Sequence, residues 1–544
     1  DYTAPVEVLP GGDLDYGTDE GRAMLEIIHD VAPGAELAFR TGFRNPIDFA
    51  DGIQELATAG CDIIVDDITY ITEPFFRDGV VAQAVDAVEA SGVAYFTAAG
   101  NFGAKSYSST FNPSGTAPTA HDFGGGDILQ SVTLKPGSYT IVLQWDEPFY
   151  SSGTPGAVNN PGAQNDLDIY VTDNNGNGLV GVNRDNSGND PVEILTFAVR
   201  DGDVDANIKI ERAPGSTGST NVLFKYIVFQ GELTINEYTT GSSTIVGQAN
   251  ANGAITIGAA FYQNTPEYGV TPAVIEDFSS IGGTSVRVGA TLQAREKPDF
   301  VAPDGGNTSV DFGNDKDNDG FPNFFGTSAA APHAAASAAL MMQAWATYQT
   351  FTGAPAANLN NLDLRQLLED GAHDMGAVDH SPVSGNGLIQ VDASARTFAA
   401  PKPKLNKVVV PAGVTLGQVQ FTATIQGDYL SPSTTITFDG NTVTSNYINE
   451  HEITAEIPVF AAATPLIQAN TPASSNSGLD GGLSNAITFN VQKVRIVADN
   501  KTKKYAEDVP TLTASVFVDN VPVSPTNTTL LQTLGLVNVL AESN

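Results

Sequence analysis

The sequence predicts an α/β fold, in which a parallel sheet carries helices on both faces, interrupted by an inserted all-β sandwich and followed by further β-sandwich modules. Apolar strands alternate with amphipathic helices between residues 20 and 101, a pattern typical of a parallel sheet covered on both sides. Residues 102–245 instead hold short alternating strands between Gly, Ser, Thr and Asn turns. This all-β region is predicted to be an insertion.

The first predicted elements are three helices and an apolar strand that ends in two aspartates. Residues 20–30 place their apolar positions on one helical face. A second helix is predicted after Asn45, with Pro46 at its first position, and a third over residues 75–92. The apolar strand between these last two helices ends in two aspartates, of which Asp67 is the second. Because the carboxyl ends of parallel strands line the binding crevice, Asp67 is a candidate site residue.

The bulk composition excludes some classes of partner. The 544 residues contain 25 Lys and Arg against 62 Asp and Glu, a formal charge of −37. Nucleic acids and anionic membranes would be repelled by this charge, so neither is predicted to bind. No apolar stretch is long enough to span a membrane, so membrane insertion is not predicted. Cys61 is the single cysteine and is predicted to be a buried, inert thiol.

The most informative stretch is Gly326-Thr-Ser-Ala-Ala-Ala-Pro-His333, followed by a small, apolar run to Met342. A serine two residues after glycine and just ahead of an Ala-rich segment is typical of a nucleophile on the turn that opens a buried helix. Its hydroxyl would lie at the positive end of that helix, where a developing anion is favoured. Pro332 is expected in the first turn, where proline is tolerated. The alternative for Ser328 is an ordinary helix N-cap.

This stretch resembles the nucleophile motif of subtilisin-like serine peptidases, with Ser328 at the position of the nucleophile. Four further blocks resemble the same family in the same order: residues 31–37, 96–101, 297–303 and 384–389. The resemblance covers residues 1–101 and 246–398. It implies a subtilisin-like sheet, a protein or peptide substrate, and Asn101 as the amide that stabilises the oxyanion. The alternative for Asn101 is an ordinary turn residue.

The position where the family carries its catalytic histidine holds Glu20, counted back from Ala32-Pro-Gly-Ala35. Sedolisins, acid-active peptidases of the same fold, also have Glu there, with an acidic partner four residues on, where this chain has Met24. The resemblance therefore implies a carboxylate base, Glu20. The alternative is an acid favoured by the helix N-terminus. The family's first strand, which supplies an aspartate, has no counterpart ahead of the second. The chain is therefore expected to be a fragment, with that strand supplying the missing partner; the alternatives are a processed chain and a vacant aspartate role.

Asp67 has two possible roles under the same resemblance. It would shape specificity for a basic or polar substrate side chain, or it would act on the pKa of Glu20. A solvated strand end is the alternative reading.

Calcium is the predicted cofactor. Asp315-Lys-Asp-Asn-Asp-Gly320 places Asp315, Asp317 and Asp319 at the alternating spacing that folds carboxylate oxygens around one Ca²⁺, with a glycine for the sharp turn. An acidic surface turn is the alternative. A second acidic stretch, residues 166–176 of the insertion, resembles prepeptidase C-terminal-type domains. Its acids are interpreted either as a cation site or as plain turns.

The C-terminal part is predicted to be β modules. A Pro- and Lys-containing linker opens residues 399–495, which resemble an immunoglobulin-like TIG module. Residues 496–544 resemble the start of the repeated β modules of bacterial surface proteins, cut short.

Together these features predict a secreted or surface-attached serine endopeptidase, extracellular or at the cell surface. The competing interpretation is a catalytically inactive scaffold within a surface adhesin or filament, with cell-surface or self-assembly contacts made through the β modules.

Overall fold

The chain divides into two compact units, residues 1–398 and residues 399–544. The computed structural model describes residues 5–14, 17–151, 160–313, 315–352, 359, 361–376, 380–411, 414, 416–461, 464–474, 480–488, 494–498, 500, 514–518 and 521–522. Among these residues, the structure contains no helix with the length and apolarity needed to cross a bilayer.

The first part of unit 1 alternates strands and helices. Its elements are β1 (Glu7–Val8), α1 (Glu20–Val31), β2 (Ala38–Phe39), α2 (Pro46–Ala59), β3 (Ile63–Asp66), α3 (Val80–Ala90) and β4 (Ala94–Ala98). Asn45 caps α2, because its Oδ1 accepts hydrogen bonds from the N–H groups of Ile47 and Asp48. Gly60 ends α2 in the left-handed conformation, with φ of 98°.

The third helix begins later than the sequence predicts. Residues 75–79 precede α3, and Phe75 and Phe76 are buried in a cluster with Phe149 of the insertion. The Phe75 N–H donates to Gln144 Oε1 at 2.8 Å, so this segment bonds to the insertion instead of to a helical turn. Tertiary packing therefore overrides the apolar helical pattern of these residues.

The second part of unit 1 completes the α/β core. Its strands are β14 (Ala254–Phe261), β15 (Val286–Val288), β16 (Thr291–Gln293), β17 (Phe300–Asp304), β18 (Gly306–Asn307) and β19 (Asn323–Phe324); its helices are α4 (Thr327–Thr352), α5 (Asn361–Gly371) and α6 (Val391–Arg396), with short 3-10 turns at Gly247–Asn250, Tyr262–Asn264 and Pro266–Tyr268. The central sheet has the order β17-β14-β4-β3, and all three pairings are parallel. Strands β1 and β2 form a separate parallel pair.

The main core lies between this sheet and α4. Five buried alanines of α4 present small side chains to the apolar strands, which allows the helix to approach the sheet closely. They are Ala330, Ala331, Ala334, Ala335 and Ala338. The first turn of α4, which carries the nucleophile motif, is thereby fixed against the sheet.

Between β4 and β14 the chain forms two antiparallel sheets. Their strands are β5 (Ser106–Thr110), β6 (Gln130–Leu134), β7 (Gly137–Trp145), β8 (Leu167–Thr172), β9 (Gly178–Val182), β10 (Val192–Val199), β11 (Val204–Arg212), β12 (Leu223–Gln230) and β13 (Leu233–Ile235). The sheet orders are β10-β7-β12-β5 and β13-β6-β11-β8-β9. Residues from both sheets share one apolar core, in which Trp145 is fully buried.

The insertion is anchored to the α/β core by polar contacts as well as by the phenylalanine cluster. Lys225 of β12 is buried, and its Nζ donates to the Ser243 carbonyl at 2.8 Å and to Thr284 Oγ1 at 2.7 Å. Burial lowers the pKa of Lys225 to about 7.

Unit 2 contains three β-sheets. Its strands are β20 (Lys404–Val409), β21 (Phe421–Asp428), β22 (Thr435–Phe438), β23 (Asn441–Val443), β24 (Ser445–Asn449), β25 (Glu452–Ile457), β26 (Ile467–Thr471), β27 (Gly482–Leu483), β28 (Val494–Ala498), β29 (Ala514–Val518) and β30 (Val521–Pro522). The first two sheets, β20-β21-β25-β24 and β23-β22-β26-β27, share one core. The third consists of β28-β29-β30, and most of the predicted module at residues 496–544 lies outside the described residues.

Candidate active site

The serine motif lies on the turn into α4. Ser328 is the second residue of this helix and is 9% exposed. Gly326 has φ of 113°, which L side chains rarely adopt, and its N–H donates to Asp304 Oδ2 at 2.8 Å. Asp304 ends β17 and is buried, and burial raises its pKa to about 7. The left-handed conformation of Gly326 and its hydrogen bond to the buried Asp304 carboxyl therefore stabilise the turn.

Pro332 does not lie in the first turn of α4, as the sequence suggested. It is the sixth residue of the helix, in the second turn. Proline has no N–H, so the carbonyl of Ser328, four residues earlier, lacks its usual helical partner. The helix continues through Pro332 because its other face is packed against the sheet.

Asn101 follows β4 and contacts the serine turn. The Thr327 N–H and the Thr327 hydroxyl both donate to Asn101 Oδ1 at 3.0 Å. Since a backbone N–H can only donate, the orientation of the amide is fixed and Nδ2 is directed away from these partners. A Cβ at Gly326 would lie 3.1 Å from Asn101 Nδ2 and 3.7 Å from the Ser328 N. The space beside Gly326 is therefore flanked by two N–H donors, an arrangement suited to an oxyanion.

Two carboxyls converge on Ser328. Glu20 is the first residue of α1, and Asp67 directly follows β3. The pKa of Asp67 lies well above its ordinary value because the surrounding protein desolvates this half-buried residue and because the carboxyl is close to the negative charges of Glu20 and Asp66. The nearby Ser328 hydroxyl opposes this rise. The structure thus brings Glu20, Asp67 and Ser328 together, although sequence analysis gave Asp67 only a supporting role.

Asp66 supports the loop that carries Asp67. Its Oδ1 accepts hydrogen bonds from the Ile68 N–H at 2.9 Å and from Gln248 Nε2 at 3.1 Å. Burial raises the pKa of Asp66 to about 6. These hydrogen bonds fix the end of β3 at Asp66. Asp67, the next residue, lies close to Glu20 of α1 and Ser328 of α4.

Met24, one turn after Glu20, is buried in an apolar cluster that includes Ala329, the neighbour of Ser328. No carboxyl therefore extends from α1 at that position. The carboxyl beside Glu20 is instead that of Asp67, from a different element, and the sequence signal for it was the pair of acids at a strand end.

A cavity of about 1150 Å³ extends from the two carboxyls between α1, α2, β2, β3 and α4. Its lining includes Glu20 and Asp67 together with apolar side chains such as Phe39, Ile64 and Met342. The carboxyl pair is therefore bordered by apolar surface on this side.

The acidic loop between β18 and β19 brings three carboxylates together. Single oxygens of Asp315, Asp317 and Asp319 lie within 4.8 Å of one another. The Tyr262 hydroxyl donates to Asp317 Oδ2 at 2.6 Å, and Asp317 Oδ1 is buried with no hydrogen-bond donor among the described residues. Oxygen ligands in this number and spacing fit Ca²⁺. The intervening Lys316 lies over the ring of Phe325, next to Gly326, with 5.0 Å from Nζ to the ring centre.

Two parts of the chain match models of known families. Residues 204–387 match the family model described as Peptidase_S8, subtilase family, and residues 407–491 match the IPT/TIG domain. The chain therefore contains a subtilase-family region, which includes Ser328, followed by a TIG domain. Glu20, Asp67 and Asn101 lie ahead of the matched region. No curated protein matches the chain.

The solved structures to which the chain is similar include three proteases. The CspB protease of Clostridium perfringens is 14% identical, with a TM-score of 0.42, and the alignment covers 67% of this chain and 75% of that one. The prenylagaramide maturation protease PagA is 13% identical, with a TM-score of 0.35 and coverage of 73% and 86%. The self-cleaved protease domain of PatA is 15% identical, with a TM-score of 0.33 and coverage of 72% and 88%.

Replacing Asp67 by Asn is expected to stabilise the protein, and to do so more strongly as the pH rises from 4 to 7. Below its ordinary pKa of 3.8 the carboxyl is neutral in both the folded and the unfolded state. Above it the folded state retains the proton longer, so the free energy of unfolding falls with rising pH, by about 1.4 kcal/mol for each unit of pKa difference. Urea unfolding at a series of pH values measures this.

Asp62→Asn is the matched control, because Asp62 is exposed at the other end of the same strand. It should change stability little at any pH. A loss of stability in Asp67→Asn that is the same at every pH would contradict the assignment of a carboxyl with a raised pKa.

Proposed function

We propose that residues 1–398 form a serine endopeptidase in which two carboxyls replace the usual imidazole. The observation that carries this proposal is the meeting of Ser328, Asp67 and Glu20 at the N-terminus of α4, beside the amide of Asn101. A nucleophile, a proton acceptor and oxyanion donors are the parts that acyl transfer requires. The subtilase-family match over residues 204–387 supports the same reaction class.

In the proposed reaction, Ser328 Oγ attacks the carbonyl carbon of a peptide bond and passes its proton to the neighbouring Asp67, which accepts it in its ionised form. The adjacent charge of Glu20 raises the pKa of Asp67 and so makes this carboxylate a stronger proton acceptor. Glu20 therefore supports Asp67 as the base, a change from the order of roles that the sequence suggested. Asp67 then returns the proton to the leaving amine, and water hydrolyses the acyl-enzyme by the same route.

The oxyanion of the tetrahedral intermediate is proposed to lie beside Gly326, between Asn101 Nδ2 and the Ser328 N–H. Both donors are fixed before substrate binds: the amide by Thr327, and the N–H by its place in the first turn of α4. The helix N-terminus adds a favourable field for the developing charge.

Ca²⁺ is proposed to bind at Asp315, Asp317 and Asp319. The supporting observations are the convergence of the three carboxylates and the buried Asp317 oxygen with no donor among the described residues. A bound ion would neutralise the loop and brace the segment from β18 to Gly326.

The location of the protein and its partners are also proposed. An acidic chain, a subtilase-family region and a TIG domain suit a secreted or surface-attached protein that acts on protein or peptide substrates. The β modules of unit 2 would supply cell-surface or self-assembly contacts.

Ser328→Ala is expected to reduce kcat/KM on a peptide substrate by at least about four orders of magnitude, because the nucleophile is lost. Asn101→Ala should cost about two to three orders of magnitude, mainly in kcat, because one oxyanion donor is lost. Covalent labelling by a fluorophosphonate probe, followed by mass spectrometry, tests the nucleophile directly.

Ser337→Ala, later on the same helix, is the control and should label and cleave like the wild-type protein. Failure of the folded wild-type protein to label at Ser328, together with no cleavage, would favour the inactive scaffold in place of the peptidase.

The activity is expected to fall as the pH decreases through the raised pKa of Asp67, because this carboxyl must be ionised to accept the proton of Ser328. The maximum of kcat/KM is expected below pH 7, as for a carboxylate base. Activity of Glu20→Gln, measured from pH 3 to 9, should be reduced and have a shifted profile. A maximum near pH 8 in the wild-type protein would rule out a carboxylate base.

Removal of Ca²⁺ with EGTA is expected to lower the melting temperature and the activity together. Asp317→Asn should lose most of the effect of added Ca²⁺ on activity, because it removes a central ligand. Asp311→Asn, an exposed neighbour in the same loop, serves as the control. Unchanged melting in EGTA would refute the loop site.

A further inference from the structure

The 3-10 turn Gly247–Asn250 contacts the strand end that carries Asp67. The turn lies between the inserted sandwich and β14, where the chain returns to the α/β core. Gln248 is the second residue of this turn and is 2% exposed. No sequence motif marks this glutamine, so its contacts are known only from the tertiary structure.

The side-chain amide of Gln248 bridges the two residues that flank Asp67. Its Nε2 donates to Asp66 Oδ1 at 3.1 Å and also to the carbonyl of Ile68. The Ile68 N–H donates to the same Asp66 oxygen at 2.9 Å. Both polar backbone groups of Ile68 are therefore bonded, one to the glutamine and one to the aspartate. The backbone of Asp67, which lies between them, is fixed from both sides.

Gln248 approaches β3 from the face opposite Ser328. Side chains alternate along this strand: Ile64 packs in the core beneath α3, and Val65 packs beside the first turn of α4. Asp67 follows the alternation of Val65, toward the nucleophile. The carboxyl to which Gln248 donates follows the alternation of Ile64. The glutamine can therefore fix the backbone of Asp67 without occupying space beside Ser328.

The turn that carries Gln248 is itself anchored by buried side chains. Thr256 Oγ1 donates to a carbonyl of the turn at 2.6 Å, and Asn250 Nδ2 donates to the Thr284 carbonyl at 2.7 Å. The hydroxyl of Thr284 in turn accepts from Lys225 Nζ of the inserted sandwich at 2.7 Å. The glutamine is thus fixed relative to both the α/β core and the insertion.

Gln248 also affects the charges beside Asp67. Desolvation raises the pKa of Asp67, followed by the charges of Glu20 on α1 and Asp66 on β3. Burial raises the pKa of Asp66 to about 6, against hydrogen bonds that include those from Tyr95 of β4 and from Gln248. The bond from Gln248 favours the ionised form of Asp66, because an N–H group stabilises a carboxylate.

We propose that Gln248 is a positioning residue for Asp67, which it holds in place toward Ser328 from the opposite face of the sheet. This inference rests on the proposed function, because it requires Asp67 to accept the proton of Ser328. A displacement of about 1 Å in a reacting group can reduce a rate about a hundredfold. Because Gln248 acts through Asp67, its loss should reduce kcat and leave KM nearly unchanged.

Gln248→Met in the full chain tests this role, since methionine fills a similar volume without an N–H group. We expect kcat to fall by about tenfold to a hundredfold, with KM changed by less than about twofold. Loss of the bond raises the pKa of Asp66, so its negative charge beside Asp67 is lost at a higher pH. Asp67 then ionises more easily, and the acid limb of the kcat profile should move to lower pH.

Gln83→Met is the matched control. Gln83 Nε2 donates to the Asp78 carbonyl at 2.8 Å, a bond of the same type at the start of α3. This variant should keep the kcat and the acid limb of the wild-type protein. An unchanged kcat in Gln248→Met, or a fall in kcat with the acid limb unmoved, would overturn the proposal.

Hydrogen exchange followed by mass spectrometry examines the same contact without catalysis. The peptide that contains residues 64–70 should exchange at least about fivefold faster in Gln248→Met than in the wild-type protein, because the loop around Asp67 opens more often. Gln83→Met should leave this peptide unchanged. Equal exchange in Gln248→Met and the wild-type protein would show that the glutamine does not hold the loop.

Asp66→Asn is the second variant if Gln248→Met does not fold. Asparagine keeps an Oδ1 atom that accepts both hydrogen bonds and removes only the charge. The acid limb should therefore move to lower pH, with a fall in kcat of no more than about threefold. An acid limb that stays in place would contradict the proposed arrangement.

The results separate this inference from the proposed function. A wild-type protein that cleaves peptides and labels at Ser328, together with an unaffected Gln248→Met, would overturn the role of Gln248 alone. A folded wild-type protein that neither cleaves nor labels would overturn the proposed function, and the role of Gln248 with it.

Discussion

The hydrogen bonds between Asn101 and Thr327 are the constraint on which the candidate site depends. They join the end of β4 to the first turn of α4 across 226 residues of chain, most of which form the inserted sandwich. They fix the amide orientation of Asn101 and the start of the helix at the same time. Because Ser328 is the next residue, any displacement of this junction would move the hydroxyl relative to both the amide and the carboxyls.

Desolvated carboxyls near the same junction reduce stability. Asp304 and Asp67 lie close to the serine turn, Asp66 directly precedes Asp67, and desolvation raises the pKa of each. Each uncompensated carboxylate costs folding free energy, which the apolar packing of α4 against the sheet must offset. Sites that move protons are commonly destabilised in this way, since the burial that raises a pKa also makes the group chemically useful.

Much of the fold was predictable because its local patterns agree with its tertiary structure. The capped helix after Asn45 and the apolar strand ahead of Asp67 follow from periodicity and turn chemistry alone. The prediction of a helix from residue 75 was wrong, because Phe75 and Phe76 pack with the insertion and the Phe75 N–H bonds to Gln144. No local pattern contains information about a partner about 70 residues away.

The sequence by itself determined which chemical groups are available: a serine on a glycine turn ahead of an alanine-rich helix, an amide at a strand end, and acids at alternating spacing. It did not determine which acid the serine meets. Glu20 and Asp67 belong to different elements, and only the packing of α1 and β3 around α4 brings both carboxyls to Ser328. The physical reason is that residue type and period act locally, whereas proximity and burial, which set a pKa, arise from the assembled core.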